Sequence, residues 1–344
     1  MNTEIYIISG FLGAGKTTLI QKLLKEAFIK DKVVLIENDF GEISVDAAIL
    51  KSSGIQVKEI NSGCICCSLS GDFVKALKEL LKRFQPDKII IEPSGVGKLS
   101  DIMKACLDPS IEPLAKVKLR LTVADVKRCK MYLDNFGEFF EDQIQNADTI
   151  LLSRTENFPD KVKDAYELVK SLNDHALILS KPWDQITSDE ILYPDMMHST
   201  YGKHKVLSHE HRYHHELHEH KEDCHCGHHG SHDHEEGCHC SHHDHENKCG
   251  HNHSAKDIFD TITIQTTRTF NMEDLKTVIL NMEQKAHGTI LRVKGIVQGT
   301  NGYINLQYLP GDIQITRSAV HGDMICIIGR NLNQQELIGL FNGK

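Results

Sequence analysis

The sequence predicts an α/β protein: a P-loop NTPase domain built on a doubly wound, mostly parallel sheet, followed by a small α+β C-terminal domain. Three observations carry this expectation. The apolar run Ile5-Tyr6-Ile7-Ile8 leads, through Ser9, into Gly10-Phe11-Leu12-Gly13-Ala14-Gly15-Lys16-Thr17, a complete phosphate-binding loop. From there to about residue 190, short apolar runs alternate with helical patterns, as βα layers require. Patterned sequence then stops, and resumes at Ile258.

The first strand is expected near Tyr6, feeding a helix that carries Leu19-Ile20-Gln21-Lys22-Leu23-Leu24. A strand that turns through glycines into a helix points backbone N–H groups and the positive end of the helix dipole into one concavity, which suits a polyphosphate. Gly10, Gly13, Ala14, Gly15 and Thr18 would cradle the phosphates, Lys16 would reach the β and γ phosphates, and Thr17 would ligate Mg²⁺. A side chain in place of the glycines would block the backbone's approach or forbid positive φ.

A second strand near Leu35 runs into Glu37-Asn38-Asp39-Phe40-Gly41-Glu42, and the acidic stretch ends at Asp46. Such a loop lies where a switch segment senses the γ-phosphate through Mg²⁺, with Asp39 and Glu42 as candidate catalytic acids. A solvated acidic loop is the plainer reading. Asn61-Ser62-Gly63-Cys64-Ile65-Cys66-Cys67 follows. Cys64, Cys66 and Cys67 can supply three soft ligands to one tetrahedral ion, Zn²⁺ by default, with Co²⁺, Ni²⁺ or Cu⁺ conceivable. Adjacent cysteines on a strand would point to opposite faces, so a turn is required, and Gly63 suits one. Three buried apolar thiols are the alternative.

The next strand, Lys88-Ile89-Ile90-Ile91, is apolar on consecutive residues, as a parallel strand covered on both faces should be. It closes on Glu92-Pro93-Ser94-Gly95, where Glu92 would hold the Mg²⁺ water shell or orient an attacking water and the Gly95 N–H would meet the γ-phosphate. Strands near Leu121 and Ile150 follow, the second ending in Ser153-Arg154-Thr155-Glu156. Guanine is usually read at this place by Asn-Lys-x-Asp. Here Ser153 keeps a small polar group, the stem and guanidinium of Arg154 can lie over the base, and Glu156 retains a carboxylate. Guanine is the favoured base on that chemistry. A last strand near Ile178 precedes Ser180-Lys181, a candidate loop around the base or a plain strand end.

Residues 191–256 are expected to form a His/Cys-rich flexible linker between domains at 1–190 and 257–344. His198 to His253 holds 19 of the chain's 22 histidines and five of its 11 cysteines, with too few aliphatic residues to build a core. Cys224-His225-Cys226 recurs as Cys238-His239-Cys240, each followed by a histidine pair, so Cys224, Cys226, Cys238 and Cys240 are candidate accessory metal ligands. Beyond it come a strand-like run over Ile258 to Gln265, a helix after Asn271, strands around Leu291, Ile304, Ile313 and Ile325, and a helix from Gln334. The chemistry of this unit is not legible from its composition.

A chain of 344 residues with 40% hydrophobic residues has room for two cores. No apolar stretch reaches roughly 18 residues and no basic n-region precedes an apolar one, so neither a membrane span nor a signal peptide is expected. The net charge of −9 argues against nucleic acid as partner. With nucleotide supplied in the cytoplasm, the clustered thiols read as reduced metal ligands and not as disulfides.

Together these residues resemble the CobW-like metal-homeostasis GTPases, relatives of the UreG and HypB nickel-enzyme maturation factors. Gly10 to Thr18, the segment 37–42, the Cys-x-Cys-Cys at 64–67 and Glu92 to Gly95 match in order and approximate spacing. Leu291-Arg292-Val293-Lys294-Gly295 and Ile327-Ile328-Gly329 resemble the family's C-terminal domain, and a histidine-rich insertion between the domains is common there. Ser153 to Glu156 is the main departure. The resemblance implies a low-turnover GTPase that binds a transition metal at the cysteine motif and hands it to a client apo-protein. Rival readings are a metal buffer with vestigial hydrolysis, a cobalt or corrinoid-linked chaperone, and a P-loop kinase with structural cysteines.

Overall fold

The computed structural model describes residues 2–37, 56–59, 70–193 and 258–342. The first domain is built on strands β1 (Thr3–Gly10), β2 (Val33–Glu37), β3 (Gln56–Glu59), β4 (Lys88–Glu92), β5 (Ala115–Asp125), β6 (Thr149–Ser153) and β7 (Leu177–Leu179). They form one sheet in the order β3-β2-β4-β1-β5-β6-β7, and every pairing is parallel. After β4 the chain crosses β1 to lay β5, β6 and β7 on its other side, so the loops at the carboxyl ends of β1 and β4 open into a crevice. β3 has no counterpart among the expected strands. Its Gln-Val-Lys-Glu sequence lacks an apolar run, and among the described residues it pairs with β2 alone, at the end of the sheet.

Helices α1 (Lys16–Glu26), α2 (Ser70–Phe84), α3 (Leu99–Cys106), α4 (Cys129–Gln145), α5 (Val162–Leu172) and α6 (Ser188–Leu192) complete this layer structure. Alternate residues of one strand go to opposite cores. Ile5, Ile7, Ile89 and Ile91 meet Leu77, Leu81, Ile102 and Phe140 on one face. Tyr6, Ile8 and Ile90 meet Leu19, Leu23 and Ile191 on the other. Consecutive apolar residues in β1 and β4 are therefore the mark of a sheet covered twice.

The second domain is a five-stranded antiparallel sheet, β8 (Asp260–Gln265), β9 (Thr289–Gly299), β10 (Gly302–Leu309), β11 (Asp312–Ser318) and β12 (Met324–Arg330), in the order β11-β10-β9-β12-β8. Helix α7 (Met272–Lys285) starts at Asn271, whose side chain accepts the Asp274 N–H at 2.8 Å. With α8 (Gln334–Asn342) it covers one face, where Val293, Leu306, Ile325 and Ile327 pack on Leu275, Ile279, Leu337 and Phe341. The other face is apolar too. Leu291, Leu309, Cys326 and Ile328 join the core of the first domain, together with Phe259. Among the described residues no helix is long and apolar enough to cross a membrane.

Candidate nucleotide site at the domain boundary

The phosphate loop is shaped by contacts that begin in its own sequence. Gly10 ends β1 with φ +142, and a Cβ there would stand 2.4 Å from the Val123 carbonyl oxygen of the neighbouring strand. Only glycine fits. Phe11 turns into an aromatic cluster, 4.2 Å between ring centroids from Tyr132 and 5.6 Å from Phe136, both on α4. Phe259, just ahead of β8, closes the cluster at 5.3 Å from Phe136. Tyr132 Oη also donates to the Leu12 carbonyl at 2.9 Å. Burial pushes that phenol's pKa well up, so it stays a donor throughout the ordinary pH range.

Gly13 carries φ +68, and a Cβ built on it would lie 2.3 Å from Leu309 Cδ1 of the second domain. The two domains are thus in contact at the loop itself. Behind Gly15 the chain enters α1, so Lys16 is its first residue and the first-turn amides open toward the crevice. Lys16 is 7% exposed; its Nζ donates to the Gly10 carbonyl at 3.1 Å and stands 3.8 Å from Glu92 Oε1. A buried ammonium held between a carbonyl and a strand-end carboxylate is oriented before any ligand arrives.

These groups border one cavity of about 350 Å³. Of the expected residues, Gly13, Gly15, Lys16, Thr17, Thr18, Glu92, Gly95 and Arg154 line it, together with Glu37 at the end of β2. Gly10 and Ala14 lie beneath, buried. Ser153 is buried beside it, and among the described residues its Oγ has no hydrogen-bond partner. Glu156 is elsewhere: it is exposed, and accepts from Thr155 Oγ1 at 3.4 Å and Asn157 Nδ2 at 3.3 Å. Asp39, Glu42, Cys64, Cys66, Cys67, Cys224, Cys226, Cys238, Cys240 and the whole histidine-rich segment lie outside the described residues. Among the described residues, no three His, Cys, Asp or Glu side chains group closely enough to hold a metal ion.

Arg154 sits at φ 62, a left-handed backbone that a non-glycine residue adopts only when its surroundings hold it. Its Nε is 3.2 Å from Asp125 Oδ2 and its Nη1 3.0 Å from Asp312 Oδ2. Arg128 shares both carboxylates, at 2.6 Å to Asp125 and 3.8 Å to Asp312. Nε and Nη1 of Arg154 are engaged by these carboxylates and Nη2 lies 3.5 Å from the Gly13 carbonyl, so its in-plane donors are occupied while its stem and guanidinium face remain for a nucleobase. Sequence reasoning missed this network, and it missed Trp183, whose ring would be 3.3 Å from a Cβ on Gly15. It also missed Gln21 on α1 and four residues of the second domain that line the cavity, Arg292, Lys294, Gln307 and Gln314. Polar residues alternating with apolar ones on β9, β10 and β11 look like an ordinary solvated sheet face, so the pattern held no signal of a roof over the phosphate loop.

The chain matches the family model described as CobW/HypB/UreG, nucleotide-binding domain, over residues 4–180, and that of the cobalamin synthesis protein cobW C-terminal domain over 259–343. Among similar proteins are the zinc chaperone YeiR of Escherichia coli K12, 31% identical over 201 residues, covering 58% of this chain and 56% of that protein; the zinc chaperone CobW of Sinorhizobium sp, 36% identical over 178 residues, covering 44% and 50%; and the zinc chaperone YjiA of Escherichia coli K12, 34% identical over 160 residues, covering 44% and 49%. The chain spans about half the length of the curated relatives it matches.

Proposed function

Because the chain belongs to the CobW/HypB/UreG family, with a cobW C-terminal domain beside the nucleotide-binding one, we propose that it is a cytoplasmic GTP-hydrolysing metallochaperone that takes up a transition metal, zinc first, and hands it to a client apo-protein. The observation that carries the nucleotide half is the single cavity in which Lys16, Thr17 and the α1 N-terminus face Glu37 and Glu92. The names of the relatives support zinc over cobalt or nickel. Cys64, Cys66 and Cys67 are the proposed metal ligands, since three thiolates suit a borderline-soft ion.

Lys16 would exchange its present partners for the β and γ phosphates, and the first-turn amides of α1 would hold the phosphate oxygens. Thr17, Glu37 and Glu92 form an oxygen donor set of the kind Mg²⁺ prefers, directly or through water; bound there, the ion neutralises charge on the phosphates. Glu92 would also orient a water. That water attacks the γ-phosphorus, the bond to the β–γ bridging oxygen breaks, GDP and inorganic phosphate leave, and the proton of the water passes to solvent. Hydrolysis would then reset the acidic segment after β2, and with it the affinity of the cysteine site that follows in sequence.

The experiment is inorganic phosphate release from GTP by wild type and by Lys16→Ala, with and without zinc. The reading requires release by wild type alone. Equal turnover in the variant would refute it, and phosphate appearing on a small acceptor instead of in solution would favour a kinase. ATP competing as well as GTP would remove guanine as the base.

A further inference from the structure

We propose that the nucleotide site is completed by the second domain, with Arg292 and Lys294 of β9 taking the outer phosphate of a bound nucleoside triphosphate. This rests on the nucleotide reading above and adds a role for the second domain in it.

Sheet register places these side chains. Lys294 pairs with Gln307 on β10, and Gln307 pairs with Gln314 on β11, so the three form one row across one face. Arg292, two residues along β9, shares that face, and Leu309, two residues along β10, shares it too. Val293 between them belongs to the face covered by the helices. Leu309 fixes where the shared face points, because it is the residue that meets Gly13 of the phosphate loop. The polar row therefore lies across the cavity from Lys16 and Thr17.

Chemistry then selects the ligand. The neighbouring positions of this face, Leu291, Cys326 and Ile328, are packed in the core, and Lys294 itself is only 9% exposed. Arg292 and Lys294 carry the charge that a phosphate recognises, on the wall that faces the phosphate loop. The walls carry Lys16, Arg292 and Lys294 beside Glu37 and Glu92, while Arg154 on the same wall is held by Asp125 and Asp312. Phosphate-loop amides approach from one wall, and the second domain supplies the opposite one. A smaller cavity of about 50 Å³ continues from Gly13 to Arg292 and Gln307, placing the arginine on the loop's outer side. A cation there would also meet the charge that builds as the bond to the γ-phosphorus breaks, the role an arginine contributed in cis or in trans plays in other P-loop enzymes.

The test compares affinities of the full chain for a non-hydrolysable GTP analogue and for GDP. Arg292→Ala is expected to weaken the analogue by roughly tenfold or more while GDP changes by no more than about threefold, with Arg292→Lys recovering part of the loss. Gln314→Glu, at an exposed position of the same row, guards against misfolding and is expected to weaken the analogue selectively as well. If both Arg292→Ala and Gln314→Glu bind the analogue like wild type while Lys16→Ala does not, the second domain does not touch phosphate and the proposal is overturned. An equal loss for analogue and GDP would overturn it too. Failure of wild type to bind either nucleotide would instead bring down the nucleotide reading itself.

Discussion

Arg154, just past β6, and Asp312, at the start of β11, are joined across the domain boundary by an Nη1–Oδ2 ion pair of 3.0 Å. Asp125 holds the same guanidinium at 3.2 Å and Arg128 at 2.6 Å. Two arginines and two aspartates thus tie the end of β5, the end of β6 and the β10–β11 turn into one unit beside the phosphate loop.

Asp312→Asn keeps the shape and removes one charge, leaving Asp125 to serve both arginines. A loss of about 1–3 kcal/mol in unfolding free energy is expected, below the range for a fully buried pair because Asp312 is partly exposed. Urea denaturation measures it. An unchanged midpoint would mean that the network holds nothing together.

Gly13→Ala should disturb nucleotide binding both locally, because φ +68 strains an alanine, and through the other domain, because the new methyl would meet Leu309. Leu309→Ala opens that space, so in a double-mutant cycle the pair should lose less affinity than the two single changes add up to. Simple additivity would argue against the docking of the two domains at the loop.

Much of this architecture is legible in the chain. β1, β2, β4 and β6 are runs of adjacent apolar residues, and the phosphate loop and α1 follow from glycine spacing and a helical stripe. β3 is not legible, since an edge strand of Gln-Val-Lys-Glu resembles any polar turn. The roof of the site is not legible either. Arg292 and Lys294 alternate with Leu291 and Val293 as on a half-solvated strand, and only the packing of Leu309 on Gly13 reveals that the polar face covers a crevice. Asp125 and Asp312 are far apart in sequence, and nothing local couples them.

Trp183, the chain's only tryptophan, donates Nε1–H to the Leu152 carbonyl at 2.9 Å and lies against Gly15. Its emission is expected to change when a GTP analogue binds and to stay constant for Lys16→Ala at the same analogue concentration. A silent tryptophan at calorimetrically saturating nucleotide would place the ligand elsewhere.

Burial pushes the Cys106 and Cys129 thiols up to about 12, with the Asp125 carboxylate adding to the effect at Cys129. A thiol stays protonated below its pKa, so between pH 7 and 9 an ordinary cysteine gains thiolate while these two do not. Alkylation of the native protein at pH 8, mapped by mass spectrometry, should spare both, and Cys106→Ala should leave metal stoichiometry unchanged. Rapid native labelling of either would contradict the burial assigned to it.

Replacing residues 198–253 with Gly/Ser linkers of several lengths should lower total zinc stoichiometry and leave phosphate release near wild type. The clustered imidazoles would form many weak sites, each limited by the cost of ordering the chain. Loss of hydrolysis in every folded variant would put this segment in the catalytic machinery.

Coupling between nucleotide and metal is the central claim, and it is reciprocal: the factor by which GTP changes zinc affinity must equal the factor by which zinc changes GTP affinity. The most direct measurement is the zinc dissociation constant, by competition with a chelator, in the presence and absence of a non-hydrolysable GTP analogue with Mg²⁺. The account predicts binding tighter by about tenfold or more with the analogue, an effect lost in Lys16→Ala and in the variant with Cys64, Cys66 and Cys67 all changed to Ser. Equal zinc affinity with and without the analogue, in a protein that demonstrably binds both ligands, would contradict it.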